Sequence, residues 1–354
     1  MKGKLTIGVV FGGVSTEHEI SLISARSIIE AIDKKKYDII PIWITKQGKW
    51  LIYEGDFKDG LKEESGIGVC LSLDPTQKGL FKLGEKGCCN SHVGIDVFFP
   101  VLHGLNGEDG TVQGLFEVVD TPFVGCGILA SGLGIDKYYM KVVFEHDNLP
   151  VVDYLLVKGH ERKDNRDQKK IYKKVEETIG YPCFIKPACF GSSIGISKVY
   201  SDEQLMGGIK DALVYDNKVL IEKYIDGREM ECSVLGNEEP MASLPGEIVP
   251  CNDFYDYKAK YVDNSSKLII PADLEKEDVN VIQELAIKAF RAIDGKGMAR
   301  VDFFLSKNDK KIYINEINTI PGFTNISMYP KLWEASGIGY SELIDRLITL
   351  AIEK

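Results

Sequence analysis

The residues best suited to chemistry lie near the carboxyl end. There Arg300-Val-Asp-Phe-Phe-Leu is followed by a polar turn and then by Ile312-Tyr-Ile-Asn-Glu-Ile-Asn-Thr-Ile-Pro-Gly-Phe. Both arms read as strands of one hairpin joined through residues 306–311. Side chains two apart on a strand share a face, so Arg300 points with Asp302, and Glu316 with Asn318. Val301, Phe303, Leu305 and Ile317 take the apolar face. The polar face thus gathers two carboxylates and a carboxamide beside a guanidinium. Hard divalent cations such as Mg²⁺ take oxygen ligands of this kind, usually shared with substrate phosphates. The competing reading is a surface hairpin whose charges face water.

A second constellation is Phe184-Ile-Lys-Pro-Ala-Cys-Phe-Gly-Ser-Ser-Ile-Gly-Ile, with Lys186 at a strand end before a small-residue loop. Gly191, Ser192, Ser193 and Gly195 can turn backbone N–H groups and hydroxyls toward a phosphate. It is not a P-loop, because no Gly-Lys-Ser/Thr opens a helix. A plain hairpin turn is the alternative, and Lys186 together with the acidic hairpin favours phosphate. Gly12-Gly13-Val-Ser-Thr-Glu17 departs from G-x-G-x-x-G, so a nicotinamide cofactor has little support. Leu220-Ile-Glu-Lys-Tyr-Ile-Asp-Gly-Arg-Glu leaves a strand with Glu222, Lys223 and Glu229 available. Phe254-Tyr-Asp-Tyr-Lys-Ala-Lys-Tyr261 mixes aromatics and lysines, as a loop closing over a transferred phosphate requires.

The elements that must carry these residues alternate. Residues 5–11 form an apolar strand that turns at Gly12-Gly13 into a helix reaching Ile32, with Ser15 or Thr16 as its cap. Strands follow at 39–44, 50–53 and 97–102, while 54–90 reads as an irregular excursion. The pattern implies an open, mostly parallel sheet. A second unit carries strands at 151–157, 183–187 and 218–225, separated by a charged, solvated stretch over 160–177. A third holds a helix over 277–293, the hairpin, and a terminal helix over 340–352.

The 354 residues suffice for two or three domains with separate cores. The net charge of −10 argues against a nucleic-acid partner, which needs clustered Lys and Arg. Residues 5–11 are too short to span a membrane and lack a signal-peptide cleavage pattern, and no apolar run of about 18 residues occurs. A cytoplasmic protein without a membrane partner is expected. The eight cysteines, at 70, 88, 89, 126, 183, 189, 232 and 251, form no C-x-x-C pair, and the five histidines are scattered, which disfavours zinc. Most should be buried small hydrophobes, with Cys189 set apart by its place in the Gly-rich loop.

Taken together, Gly12 to Glu17, Leu102-His-Gly-Leu-Asn-Gly-Glu-Asp-Gly110, Lys186-Pro with Gly191-Ser-Ser, the 255–261 loop and Arg300 through Ser327 resemble the D-alanine–D-alanine ligases of the ATP-grasp superfamily, from about Gly8 to Leu350. The resemblance implies an α/β (α+β) fold of three units: an N-terminal open-sheet substrate domain (1–135), a small central α+β unit (136–225) and a larger C-terminal one (226–354). It implies ATP between the last two, with Lys137 and Lys186 on its phosphates, Ser193 in the phosphate loop, Glu222, Lys223 and Ile225 at the adenine, and Glu229 at the ribose. Asp302, Glu316 and Asn318 match the ligands of Mg²⁺, with Mn²⁺ as an alternative ion. Glu17 matches the anchor of the first substrate's ammonium, and Ser192 and Tyr261 match a hydrogen-bonded pair joining two loops. Lys260 falls beside the transferred phosphate, Arg300 and the Gly322 N–H at a developing oxyanion, Ser327 at the second substrate's carboxylate, and His103 in the substrate pocket.

The implied activity is ligation of two D-alanines through an acyl phosphate for peptidoglycan precursors, by a homodimer. The rivals are a ligase taking D-serine or, less favoured by the tyrosine-rich loop, D-lactate, and a silent nucleotide sensor. Two departures bear on the second-substrate pocket: Ile326 stands where many relatives have His, and Met328 where many have Leu or Arg.

Overall fold

The computed structural model describes residues 3–57, 60–84, 89–162, 165–249 and 267–354, which form three sheets. The first contains β1 (Leu5–Gly12), β2 (Tyr37–Ile44), β3 (Trp50–Tyr53), β4 (Gly66–Leu71), β5 (Gly79–Leu83), β6 (Cys89–Gly94) and β7 (Val97–Val101), in the order β6-β5-β4-β3-β2-β1-β7. Helices α1 (His18–Ala31) and α2 (Thr111–Val118) accompany it, and α3 (Ile128–Ile135) packs in the core of the third sheet. β1 and β7 are near-continuous apolar runs, the signature of strands covered on both faces, and both pair in parallel with a neighbour.

Two expectations need correction here. The parallel part is confined to β2-β1-β7, and every pair from β2 outward to β6 is antiparallel. The supposed irregular excursion over 54–90 supplies β4, β5 and the first residues of β6. Its glycines and charges hid strands that bury only part of one face, and only cross-strand pairing reveals them.

The second sheet has the order β10-β9-β11-β8, from β8 (Tyr154–Lys158), β9 (Cys183–Pro187), β10 (Ser197–Val199) and β11 (Lys218–Lys223). It is preceded by α4 (Lys137–His146) and interleaved with α5 (Asn165–Thr178) and α6 (Asp202–Ala212). The charged stretch is largely α5, whose Ile171 and Val175 reach the core. Asp136 caps α4 by accepting the N–H groups of Tyr138 and Tyr139.

The third sheet runs β15-β14-β12-β16-β17, with β13 paired to β12. Its parts are β12 (Gly227–Gly236), β13 (Met241–Ala242), β14 (Gly246–Val249), β15 (Lys267–Ile269), α7 (Lys276–Ala292), β16 (Gly297–Ser306), β17 (Ile312–Asn318), α8 (Met328–Ala335) and α9 (Tyr340–Ile352). The hairpin forms with Arg300 opposite Asn318 and Asp302 opposite Glu316. Between Asp302 and Phe303 the register shifts, leaving Asn315 as an extra residue in β17. That bulge lets Ile314 and Ile317 both stay in the core while Asn315 and Glu316 remain half-exposed.

Below the hairpin, Val301 and Phe303 pack on Ile282, Ala286 and Phe290 of α7. The apolar stripe of α9, Leu343, Leu347 and Ala351, buries against the first sheet beside Ile7 and Phe99. This packing sets the hairpin's polar face opposite Glu17 and His103. Among the described residues no helix is long and apolar enough to cross a membrane.

Candidate active site

Across β12, β16 and β17 three carboxylates stand abreast, Glu231 opposite Asp302 and Asp302 opposite Glu316. Like charges set opposite one another destabilise a sheet, so the row needs cations. Arg300 supplies one. Its Nε and Nη2 donate to Asp302 at 2.7 and 2.8 Å, and Nε lies 2.9 Å from Glu231. Burial works against the guanidinium's charge, but the Asp302 and Glu231 carboxylates outweigh it and hold Arg300 firmly protonated. Asn318 Nδ2 donates to Asp302 at 3.1 Å, and Lys137 Nζ lies 3.4 Å from Glu316.

The residues expected to hold a divalent cation are therefore neighbours on one face. Among the described residues no group of three or more His, Cys, Asp and Glu side chains closes into a metal cage. Two carboxylates and one carboxamide suit an ion that keeps positions for substrate oxygens and water, which is how Mg²⁺ is usually held.

Opposite the hairpin, α1 begins at His18 with Glu17 at its boundary and no side-chain cap. The expected Ser15 or Thr16 cap is not formed; Ser15 Oγ instead accepts the N–H of Glu17 at 3.1 Å. The Glu17 carboxylate turns away to accept a hydrogen bond from the Ser192 hydroxyl. A Cβ on Gly104 would lie 3.0 Å from Glu17 Oε2, so that glycine makes room for the carboxylate. Ser192 and Ser193 both sit in the left-handed region, at φ +53° and +58°, a strain that non-glycine residues bear mainly where function requires it.

His103 is buried, its Nδ1 3.2 Å from the Ile320 carbonyl and its Nε2 3.4 Å from Ser24 Oγ. Burial pushes its pKa down, against the pull of Glu17. Glu108 lies beside these groups, accepts the Gly104 N–H at 2.7 Å, and is pushed up to about 8 by burial and by Glu17's charge. Gly322 and Ser327 close the far end. A Cβ on Gly322 would stand 2.8 Å from Ser327 Oγ, and that hydroxyl accepts the Thr324 N–H at 2.9 Å at the start of α8. Glu17, His103, Lys137, Ser192, Arg300, Glu316, Asn318, Gly322 and Ser327 line one cavity of about 140 Å³, with Ile248, Leu268, Ile326 and Met328 as its apolar wall.

Next to it lies a charged cluster between α4, β9 and β11. Glu222 Oε2 holds Lys186 Nζ at 2.5 Å, and Lys186 also donates to Asn315 Oδ1 at 3.2 Å. Burial would raise the Glu222 carboxyl, but Lys141 and Lys186 outweigh it and hold it at about 2. Lys137 donates to the Phe190 carbonyl at 3.0 Å, reaching the Gly-rich loop.

Of the remaining expected residues, Ile225 and Glu229 are half-buried where the chain passes from β11 into β12. The Lys223 side chain is exposed and pairs with Asp153 at 3.2 Å. Lys260 and Tyr261, with the whole 254–261 loop, lie outside the described residues. Burial, with Asp136 and Asp216 nearby, lifts the Cys189 thiol to about 12, which disfavours a thiolate there. Four polar groups went unread in the sequence: Glu108, Lys141, Glu231 and Asn315. Lys141, one turn beyond Lys137, and Glu231, two beyond Glu229, were accessible by periodicity; the bulge that places Asn315 was not.

Two family models cover most of the chain, "D-ala D-ala ligase N-terminus" over residues 6–126 and "D-ala D-ala ligase C-terminus" over 143–349. A D-alanine–D-alanine ligase of Thermoanaerobacter sp. is 52% identical over 99% of this chain and 97% of that protein. One of Clostridium acetobutylicum is 47% identical, with 99% of both covered. Among solved structures, the D-alanine-D-alanine ligase of Coxiella burnetii aligns with a TM-score of 0.86 at 36% identity, over 99% of this chain and 94% of that one. The VanG D-Ala:D-Ser ligase of Enterococcus faecalis aligns at 0.87 and 37%, over 99% and 100%. Motifs, fold and relatives agree, and the chain belongs to the D-alanine–D-alanine ligase family, an ATP-grasp fold.

Proposed function

We infer that this protein is an ATP-dependent ligase that joins two D-alanine molecules into D-alanyl-D-alanine for peptidoglycan synthesis, releasing ADP and phosphate. The observation that carries it is the enclosed Arg300 guanidinium in a cavity that also holds a buried carboxylate, Glu17, at its other end. A nucleotide sensor has no need of a buried cation pre-set beside an acidic row.

A carboxylate is a poor acyl donor, so the first D-alanine must be phosphorylated before an amine can attack it. Glu17, fixed by Ser192, is suited to hold that substrate's ammonium. Lys137 and Lys186 stand where phosphate oxygens would need counter-charge. Asp302, Glu316 and Asn318 would hold a divalent cation, which when bound supplies charge neutralisation between triphosphate and the attacking carboxylate. Arg300, with the Gly322 N–H, is placed to stabilise the oxyanion as the second amine adds, a pre-set donor that needs no reorganisation. Ser327, at the N-terminus of α8, suits the carboxylate of the second substrate, where the helix dipole adds to its hydroxyl. Ile248, Leu268 and Met328 offer that substrate's side chain an apolar surface, which favours the methyl of D-alanine over a hydroxymethyl.

The proposed domains, 1–135, 136–225 and 226–354, have support in sheet membership, because each sheet falls within one of them. A cytoplasmic homodimer without nucleic-acid or membrane partners completes the reading. Exposed Leu115, Val118, Ile128 and Leu129 on α2 and α3 support a self-associating face.

The test offers purified protein, ATP and Mg²⁺ to D-alanine alone, then with D-serine or D-lactate, following phosphate release and product mass. Dipeptide from D-alanine alone is expected. ATP-dependent product only when D-serine is added would overturn the choice of second substrate, and no phosphate release at all would overturn the ligase.

A further inference from the structure

Helix α4 sends two lysines, one turn apart, toward the same cleft. Lys137 meets the Phe190 carbonyl and Glu316. Lys141 has no exposed surface at all. Its counter-ion is Glu222, whose Oε1 lies 3.1 Å from Lys141 Nζ, and the Tyr154 ring lies 5.6 Å away. The other oxygen of the same carboxylate, Oε2, is taken by Lys186.

Burying an ammonium is costly unless it is paired, and a methionine or leucine would fill the same space without that cost. The charge therefore serves the carboxylate. A carboxylate has about four lone-pair directions, so one ammonium on each oxygen leaves acceptor capacity on both and fixes how the group is turned. Lys186 alone, on a long stem and expected to engage phosphate, could not hold that orientation.

We propose that Lys141 is a positioning residue for nucleotide recognition: it fixes Glu222 as the acceptor for the exocyclic amine of a purine, and so sets the preference for adenine over a base with a carbonyl at that position. This rests on the ligase reading, in which the segment from Glu222 to Ile225 receives the base.

The test compares ATP with ITP, whose hypoxanthine carries a carbonyl where adenine carries the amine. Lys141→Met keeps the length of the side chain and removes its charge. Its ratio of kcat/KM for ATP over ITP should fall by roughly tenfold to a hundredfold, the worth of a hydrogen bond to a charged group. The loss should lie in the KM for ATP, and calorimetric ATP binding without D-alanine should weaken in parallel, while the KM for D-alanine stays put. An unchanged ATP/ITP ratio in the folded variant overturns the proposal and leaves Lys141 a structural residue. Should Lys141→Met fail to fold, Lys141→Gln keeps a buried donor toward Glu222 but removes the charge. The same fall in the ATP/ITP ratio is expected, and an unchanged ratio would again overturn the proposal. Wild-type protein that prefers ATP in calorimetry yet forms no dipeptide would sink the ligase reading and leave Lys141's role standing.

Discussion

Arg300→Ala removes the guanidinium that touches both Asp302 and Glu231, and its consequences divide into two parts. The first is stability. Asp302 and Glu231 lose donors at 2.7 to 2.9 Å and are left abreast of Glu316 in a nearly enclosed row. Breaking a buried ion pair from one side costs about 3–5 kcal/mol, because the remaining charge is uncompensated. The second is chemistry. Loss of one pre-set donor to an oxyanion lowers turnover by roughly 10²–10³-fold, or about 2.7–4 kcal/mol. The two separate experimentally. Mg²⁺ neutralises the acidic row, so it should recover much of the lost melting temperature without recovering turnover. Arg300→Lys should behave likewise, because an ammonium restores charge but cannot reproduce the two-pronged contact with Asp302. The assay is steady-state ADP release, scaled to the active fraction found by nucleotide binding. Turnover near that of the wild type in Arg300→Ala, at full nucleotide occupancy, would remove Arg300 from the mechanism.

Other outcomes follow from single side chains. Glu108 has a folded pKa of about 8, above its ordinary 4.5, so the native state keeps a proton that the unfolded chain releases. Stability is therefore lost as pH climbs from about 4.5 toward 8, and Glu108→Gln should flatten that part of the melting-temperature profile; an unchanged slope refutes the assignment. Gly246 does not have a positive φ, yet a Cβ there would lie 2.5 Å from Met328 Cε and 2.8 Å from Leu332 Cδ2. Gly246→Ala should push Met328 into the cavity and raise the KM of the second D-alanine by about tenfold, in line with overpacking costs, with recovery on adding Met328→Ala. Cys189 should be alkylated by iodoacetamide at neutral pH roughly 10³-fold more slowly than a free thiol, as peptide mass spectrometry would report.

The hairpin was legible because a strand's period of two is a local property. Arg300 had to point with Asp302, and Glu316 with Asn318, but the bulge decided that the two pairs share one face: counted back from Leu305 opposite Ile312, a regular hairpin would set Glu316 opposite Val301, and the extra Asn315 brings it opposite Asp302. The terminal helix was legible for the same reason, its apolar stripe being written in one stretch of chain. Strands β4 to β6 were not, because their side chains are partly solvated and their stability lies in pairing with strands elsewhere.

What the amino-acid order determined by itself is thus the inventory and its local phase: which neighbours along one strand or helix share a face, and which family pattern the motifs follow. What only tertiary structure decided is which charges meet. Glu231 joins the acidic row through β12, Lys141 reaches Glu222 from another element, and Ser192 closes on Glu17 across 175 residues of sequence. Ion pairing depends on distance and burial, and neither is a function of spacing along the chain.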